Sequence, residues 1–273
     1  MRLPQHDHPA ARGRSSAGPR TAVAGLALLA AGCLAVGVLA NRHAAVEAHP
    51  VRLAPVAVTP PAPPLTEVGA TLLGRVVTVE VQRADGEELG TGWLLDGHGD
   101  FVTNAHVIEG HLGIRLRDRR ADTHVGVVLG VDREQDVAVL RSTDGFPGSA
   151  LVVAPPGDPA LSTAVVLVAA GRATEHPDVT LEQVVALHRT VPVRDNPGVD
   201  PGSNPTTLVY RDMITLRGAE VFAGNSGGPV LDAEGRVLAI VTLKNRSLPE
   251  AYAIPVHRVL DELTAFASRS PSA

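Results

Sequence analysis

The chain has 273 residues and a formal net charge of −5, with 44% apolar residues but only 3% aromatic ones. That length holds one large domain or two small ones with ample core, and Val, Leu and Ala must fill it, a composition that favours strands. The negative balance gives no electrostatic basis for nucleic-acid binding, and the single cysteine, Cys33, excludes internal disulfides and a cysteine-built metal site.

Residues 1–20 are rich in Arg, Pro, Ser and Gly, lack periodicity and read as a disordered cytoplasmic N-terminus. Arg2, Arg12, Arg14 and Arg20 stand there against one acid, Asp7. From Ala22 to Ala40, nineteen residues pass without a charge, about what a helix needs to cross roughly 30 Å of hydrocarbon. Residues 21–40 are therefore expected to form a single transmembrane anchor, and the preceding arginines keep the N-terminus cytoplasmic. Two other readings stay open. Val38-Leu39-Ala40 approximates the small-x-small pattern before a signal-peptide cleavage site, which would make the protein secreted. Leu29-Ala30-Ala31-Gly32-Cys33 approximates a lipobox, which would lipid-anchor it at Cys33. All three export the C-terminal part of the chain. Residues 41–64 contain Pro50, Pro55, Pro60, Pro61, Pro63 and Pro64, a density that gives an extended, semi-rigid tether.

Folded structure is expected over 65–268. Leu72–Arg83 alternates as a strand, and Gly90–Leu95 with Phe101–Thr103 forms a hairpin across Asp96-Gly97-His98-Gly99. Gly113–Arg117, Thr123–Asp132 and Val137–Leu140 complete a first block of about six strands. A second block runs through Ala164–Ala169, Gln183–Val193, Leu208–Thr215, Val230–Leu231, Val237–Leu243 and Tyr252–Ile254, with Arg194–Thr207 as a Pro-rich surface loop. Many short strands with Gly and Pro turns point to barrels or a sandwich. Val256–Ala267 carries apolar residues at spacings of three and four and is the one convincing helix. Residues 269–273 form a tail.

Three segments carry chemistry. Thr103-Asn104-Ala105-His106-Val107 supplies an imidazole, Gln135-Asp136-Val137-Ala138-Val139-Leu140 a carboxylate heading an apolar strand, and Gly224-Asn225-Ser226-Gly227-Gly228 a hydroxyl in a glycine turn. A hydroxyl needs a base to become nucleophilic, and a base needs a group that fixes its tautomer. Asp132, four residues before Asp136, is a rival for that orienting role.

The order His, Asp, Ser, with these flanks, resembles the trypsin-like serine proteases, and most closely their bacterial HtrA/DegP-like branch. Gly90-Thr91-Gly92-Trp93-Leu94-Leu95 is similar to the strand before that family's histidine hairpin, and Gly235–Thr242 to the strand beside its specificity pocket. Tyr252-Ala253-Ile254-Pro255 is similar to the HtrA-type element before the closing helix. The resemblance implies an all-β fold of two six-stranded antiparallel barrels, over 65–150 and 151–255, and a C-terminal helix over 256–268. It implies His106, Asp136 and Ser226 as the catalytic triad and the N–H groups of Gly224 and Ser226 as the oxyanion hole. Asp136 is preferred to Asp132 because the family has Asp before an apolar run, and Gly224 is expected because a side chain would block the turn. Thr242 is implied to hydrogen-bond the buried aspartate and to line the pocket, and Val241 and Glu220 to touch substrate.

The resemblance also implies protein or peptide substrates, with no cofactor and no metal: there is no His-Glu-x-x-His, cysteine pair or phosphate loop. Asn225 stands where trypsins carry the aspartate that captures a freed N-terminus, so activation by that cut is not expected. No PDZ segment follows the helix. Two other readings are a catalytically silent, membrane-tethered peptide-binding pseudoprotease and an unrelated structural membrane protein.

Overall fold

The computed structural model describes residues 62–170, 178–193, 208–218, 222–245 and 247–270. The expected anchor, Cys33, nearly all of the tether, the loop 194–207 and Glu220 lie outside these residues. Among the described residues no helix is long and apolar enough to cross a membrane.

Among the described residues twelve strands fall into two sheets. The first contains β1 (Val76–Arg83), β2 (Gly86–Leu94), β3 (Asp100–Thr103), β4 (Gly113–Arg117), β5 (Thr123–Asp132) and β6 (Val137–Ser142). All neighbours are antiparallel in the order β1-β2-β3-β6-β5-β4, and β1 pairs back onto β4, with Val79 opposite Leu116, so the sheet closes. The second contains β7 (Ala164–Val168), β8 (Val179–Val193), β9 (Leu208–Gly218), β10 (Pro229–Leu231), β11 (Val237–Lys244) and β12 (Glu250–Pro255). Its order is β10-β11-β12-β9-β8-β7, and the pairing of Val230 with Leu167 closes it in the same way. Closure leaves no strand edge unpaired around either ring.

The apolar residues sort into three clusters. Val77, Val79, Leu94, Phe101, Leu116 and Leu140 belong to one in the first sheet, and Val165, Leu167, Val184, Leu216, Val230 and Val241 to one in the second. The third crosses between the sheets: Trp93, Val102 and Val139 join Val166, Leu231, Ile240 and the C-terminal helix. With so few aromatics, β-branched and leucine side chains fill all three, as the composition required. Tight spots are filled by omitting a side chain. A Cβ on Gly130 of β5 would lie 2.2 Å from the Phe266 ring.

Phe266 belongs to that helix (Val256–Ala267), which buries Val256, Val259, Leu263 and Phe266 at the expected spacing. Arg141 of β6 fastens its far end. The guanidinium donates to both carboxylate oxygens of fully buried Asp100, at 2.6 and 2.7 Å, and to the Ala267 carbonyl at 2.8 Å.

Helical structure exceeds the one helix expected. Leu65–Leu72 is a helix, and a 3-10 turn over Leu73–Arg75 follows it, so β1 begins at Val76 instead of Leu72. The cause is tertiary: Gly69 lets the helix sit against Val166 and Val179, 2.6 and 2.9 Å from where a Cβ would be. That contact is invisible in a strand-like local pattern. A further single turn, Ala105–Ile108, follows β3. In chain order the helices among the described residues are α1 (Leu65–Leu72), α2 (Ala105–Ile108) and α3 (Val256–Ala267).

Candidate functional site

His106 sits in α2, a single helical turn to which no sequence signal points. Neutral residues around it give no helical period. The turn forms because its start is tied to the β5–β6 connection. Asn104 Nδ2 donates to the Asp136 carbonyl at 2.8 Å, and the His106 backbone N–H donates to Asp136 Oδ1 at 2.9 Å. The ring is then held at Nδ1, 2.8 Å from Oδ2 and 3.0 Å from Oδ1 of the same carboxylate. An ionised carboxylate only accepts, so this contact places a proton on Nδ1 and leaves Nε2 as the basic atom of the neutral ring.

Asp136 adopts φ 58° and is 1% exposed. A non-glycine residue in the left-handed region is uncommon, and Asp is among those that tolerate it. The conformation turns the carboxylate back toward His106. The rival Asp132 has a different job: its Oδ1 accepts the backbone N–H groups of Glu134 and Gln135, at 2.7 and 2.9 Å, and shapes the turn that delivers Asp136.

The hydroxyl of Thr242, in β11, donates to Asp136 Oδ2. The carbonyl of the same residue accepts from Ser226 Oγ at 3.2 Å. Ser226 and Asp136 thus meet on Thr242, and His106 joins them through Asp136, although the three lie 120 residues apart at the extremes. Ser226 Oγ is turned to that carbonyl, and no hydrogen bond joins it to His106. Catalytic hydrogen bonds of this kind are often made only once substrate is bound.

The turn carrying Ser226 is built by glycines. Gly227 has φ 88°, and a Cβ there would lie 2.2 Å from the Thr91 carbonyl oxygen, so it needs both the conformation and the space. Gly224 has φ 97°, yet a Cβ would meet nothing within 4 Å. The expectation that a side chain would block this turn is therefore corrected: the backbone conformation, not crowding, asks for glycine. The N–H groups of Gly224 and Ser226 donate to no other described group, which leaves two neighbouring donors for a ligand oxygen.

Thr91, part of the Gly-Thr-Gly segment but not singled out by sequence, is the clamp between the sheets. Its N–H donates to the Ser226 carbonyl at 2.8 Å and its hydroxyl to the Gly224 carbonyl at 2.6 Å. Its own carbonyl accepts from Thr103 Oγ1 at 2.8 Å, two residues before the N-terminus of α2. Such a residue has no motif of its own; its Gly224 partner lies 133 residues away. Val241, expected to touch substrate, offers a ligand no free group. Its side chain lies in the second sheet's core, and its N–H and C=O bond to Gly228 and Gly227, both at 2.9 Å. At the rim, the Lys244 ammonium lies 5.7 Å from the centre of the Phe222 ring.

Burial works to depress the His106 pKa, but the charge and hydrogen bonds of Asp136 outweigh it, and the ring titrates above its ordinary 6.5. Tyr210 in β9, which sequence did not single out, lies on the other side of this carboxylate. Burial first, then the nearby Asp136 charge, pushes its hydroxyl far above the usual tyrosine value, so it stays neutral. Among the described residues no three His, Cys, Asp or Glu side chains cluster as metal ligands would.

Comparison with known proteins agrees with this geometry. The sequence profile of the family described as "Trypsin-like peptidase domain" matches residues 90–240. The chain is 30% identical to bovine mitochondrial serine protease HTRA2 over 174 residues, which is 64% of this chain and 35% of that protein. It thus spans about a third of that relative's length. In fold it is similar to the crystal structure of the Rv3671c protease from M. tuberculosis in its active form, with a TM-score of 0.63 at 24% identity, covering 81% of this chain and 96% of that one. It is similar also to the HtrA-type protease AlgW with a tripeptide, with a TM-score of 0.61 at 21% identity, covering 75% and 64%.

Proposed function

Since the chain belongs to the trypsin-like peptidase domain family, we propose that it is a serine endopeptidase acting on proteins or peptides through Ser226, His106 and Asp136. The observation that carries this is one chain of contacts: the Thr242 carbonyl accepts from Ser226 Oγ, the Thr242 hydroxyl donates to Asp136, and that buried carboxylate engages His106 Nδ1. In the proposed reaction His106 Nε2 takes the Ser226 proton as Oγ attacks the scissile carbonyl. The negative charge that develops on the carbonyl oxygen is received by the N–H groups of Gly224 and Ser226, each such donor contributing about 3 kcal/mol. The imidazolium then gives its proton to the leaving amine, an acyl ester remains on Ser226, and a water activated by His106 hydrolyses it. The aspartate keeps the ring in the productive tautomer and stabilises the imidazolium.

Thr242 and Glu220 are proposed to border the substrate. The domain is further proposed to work outside the cytoplasm, tethered by residues 21–40, because arginines precede an uncharged run of that length. Secretion after cleavage, or a lipid at Cys33, gives the same location by a different attachment. Alkaline extraction of membranes, with and without replacement of residues 21–40 by a cleavable signal, separates the first two; mass spectrometry of the N-terminus identifies the third.

A fluorophosphonate probe tests the catalytic claim. The wild-type chain should label and Ser226→Ala should not. Equal labelling of the two removes the nucleophile assignment. Binding of peptides without labelling or cleavage would favour the silent pseudoprotease, a reading to which the Ser226 rotamer, turned from His106, lends its one observation.

A further inference from the structure

We propose that Arg83 is a positioning residue for His106, holding the carbonyl side of the turn whose N–H side Asp136 holds. A helix of four residues has no interior; all its carbonyls are end groups that need partners from outside. One guanidinium nitrogen of Arg83, Nη2, lies 2.9 Å from the His106 carbonyl and 3.2 Å from the Val107 carbonyl. The competing backbone bond to His106 O, from Glu109 N–H, is long at 3.4 Å. His106 therefore has its N–H fixed at 2.9 Å by Asp136 Oδ1 and its C=O fixed at 2.9 Å by Arg83. Fixing both peptide planes fixes the Cα–Cβ direction, and with Nδ1 on Asp136 it sets where Nε2 points.

Arg83 reaches this place because it ends β1, where the strand turns through Ala84-Asp85 into β2. Glu88, diagonal to it on β2, lies 3.6 Å from Nη1. That pair is half exposed on the Glu88 side and long, the kind of surface contact that contributes little by itself. The carbonyl contacts are the shorter ones and the Arg83 side chain is only 26% exposed, so the short turn of His106 is the principal partner. A cation also suits the carbonyl end of a helix.

Charges face the imidazole from each neighbouring element: Asp136 from the β5–β6 turn, Arg83 from β1 and Glu88 from β2. Glu109, just past α2, lies 3.7 Å from Arg133, and neutral Tyr210 of β9 stands beyond Asp136. Arg83 opposes protonation of the ring while Asp136 and Glu88 favour it. Its removal thus disturbs position and titration together, and this separates it from a group that merely supports the fold.

The inference rests on the proposed role of His106 as the base, and the experiment keeps the two apart. In the full chain, fluorophosphonate labelling of Ser226 is followed against pH for wild type, Arg83→Gln, Arg83→Lys and Glu88→Gln. The His106 ring is titrated in parallel by NMR with 15N-histidine, its resonance assigned by its loss in His106→Ala. Arg83→Gln should label about ten- to a hundredfold more slowly, the range that a displaced catalytic group costs, and its His106 should titrate at higher pH. Arg83→Lys should return the titration toward wild type while labelling at least about threefold more slowly, because a compact ammonium replaces the rigid fork. Glu88→Gln should move the titration the other way. Arg83→Gln labelling within twofold of wild type, or an unmoved His106 titration, overturns the proposal. If wild type itself fails to label, the protease reading falls, and the His106 titration alone decides Arg83. If Arg83→Gln does not fold, Arg83→Lys decides: wild-type labelling in that variant overturns the proposal.

Discussion

Replacing Thr242 by valine removes one hydroxyl and little else. Valine keeps the β-branched shape that suits β11, and the carbonyl that receives Ser226 stays in the backbone. What is lost is a donor to Asp136, a carboxylate 1% exposed that otherwise accepts from the backbone N–H and ring Nδ1–H of His106. A hydrogen bond to a charged group contributes about 1.5–3 kcal/mol, and water cannot reach a site where Thr242 is 3% exposed to replace it. At about 1.4 kcal/mol per tenfold, the same amount expressed in the transition state slows the reaction roughly 10- to 150-fold. With a urea slope of about 2 kcal/mol/M, the unfolding midpoint falls by about 1 M. Fluorophosphonate labelling rates and urea unfolding followed by the single Trp93 measure both on one preparation. Thr242→Ser, which keeps the hydroxyl, should stay within a few-fold of wild type. If Thr242→Val labels as fast as wild type and unfolds at the same urea concentration, the hydroxyl does not hold the carboxylate and Thr242 is not what joins the three residues.

Gly130→Ala places a methyl 2.2 Å from the Phe266 ring and should cost about 1–3 kcal/mol by overpacking, measured as a lower melting temperature that Phe266→Leu partly relieves. Arg141→Met leaves Asp100 buried without its partner and should destabilise by about 3–5 kcal/mol, with loosening of α3 visible as faster amide exchange near Ala267. The pH dependence has a definite sign. Activity needs neutral His106, so labelling should rise with pH through a midpoint above 6.5, the ordinary histidine value. The stability contributed by the His106–Asp136 pair runs the other way: it is complete below the ordinary histidine pKa and fades as pH rises through the raised one. A labelling midpoint below 6.5 would contradict the Asp136 contact.

Much of the architecture was legible because local pattern and tertiary role coincide. Val-rich runs mark β1, β5 and β11, and the spacing of Val256, Val259, Leu263 and Phe266 marks α3, since the residues that must be buried are written as a continuous apolar run or at spacings of three and four. Where the two diverge, local pattern misleads. α1 is helical through its seat on Val166 and Val179, and α2 through ties to Asp136 across the first sheet.

The chemistry-bearing residues His106, Asp136 and Ser226 stand out by type, order and flanks, because the turn glycines and the apolar run after Asp136 are local necessities. Choosing Asp136 over Asp132 needed a resemblance to a family; the fold supplies the physical cause, a left-handed Asp136 facing the ring while Asp132 caps a turn. Thr91, Tyr210 and Arg83 have no local signature, since each acts through partners far away in the chain. Sequence by itself marked the strand runs and α3 and nominated His106, Asp136 and Ser226 as candidates, because these follow from spacing and residue type. Only the tertiary structure decided that the Thr242 carbonyl receives Ser226 while its hydroxyl serves Asp136, that Gly224 serves conformation and not space, and that Val241 is core, because those are facts about neighbours that closure of two sheets creates.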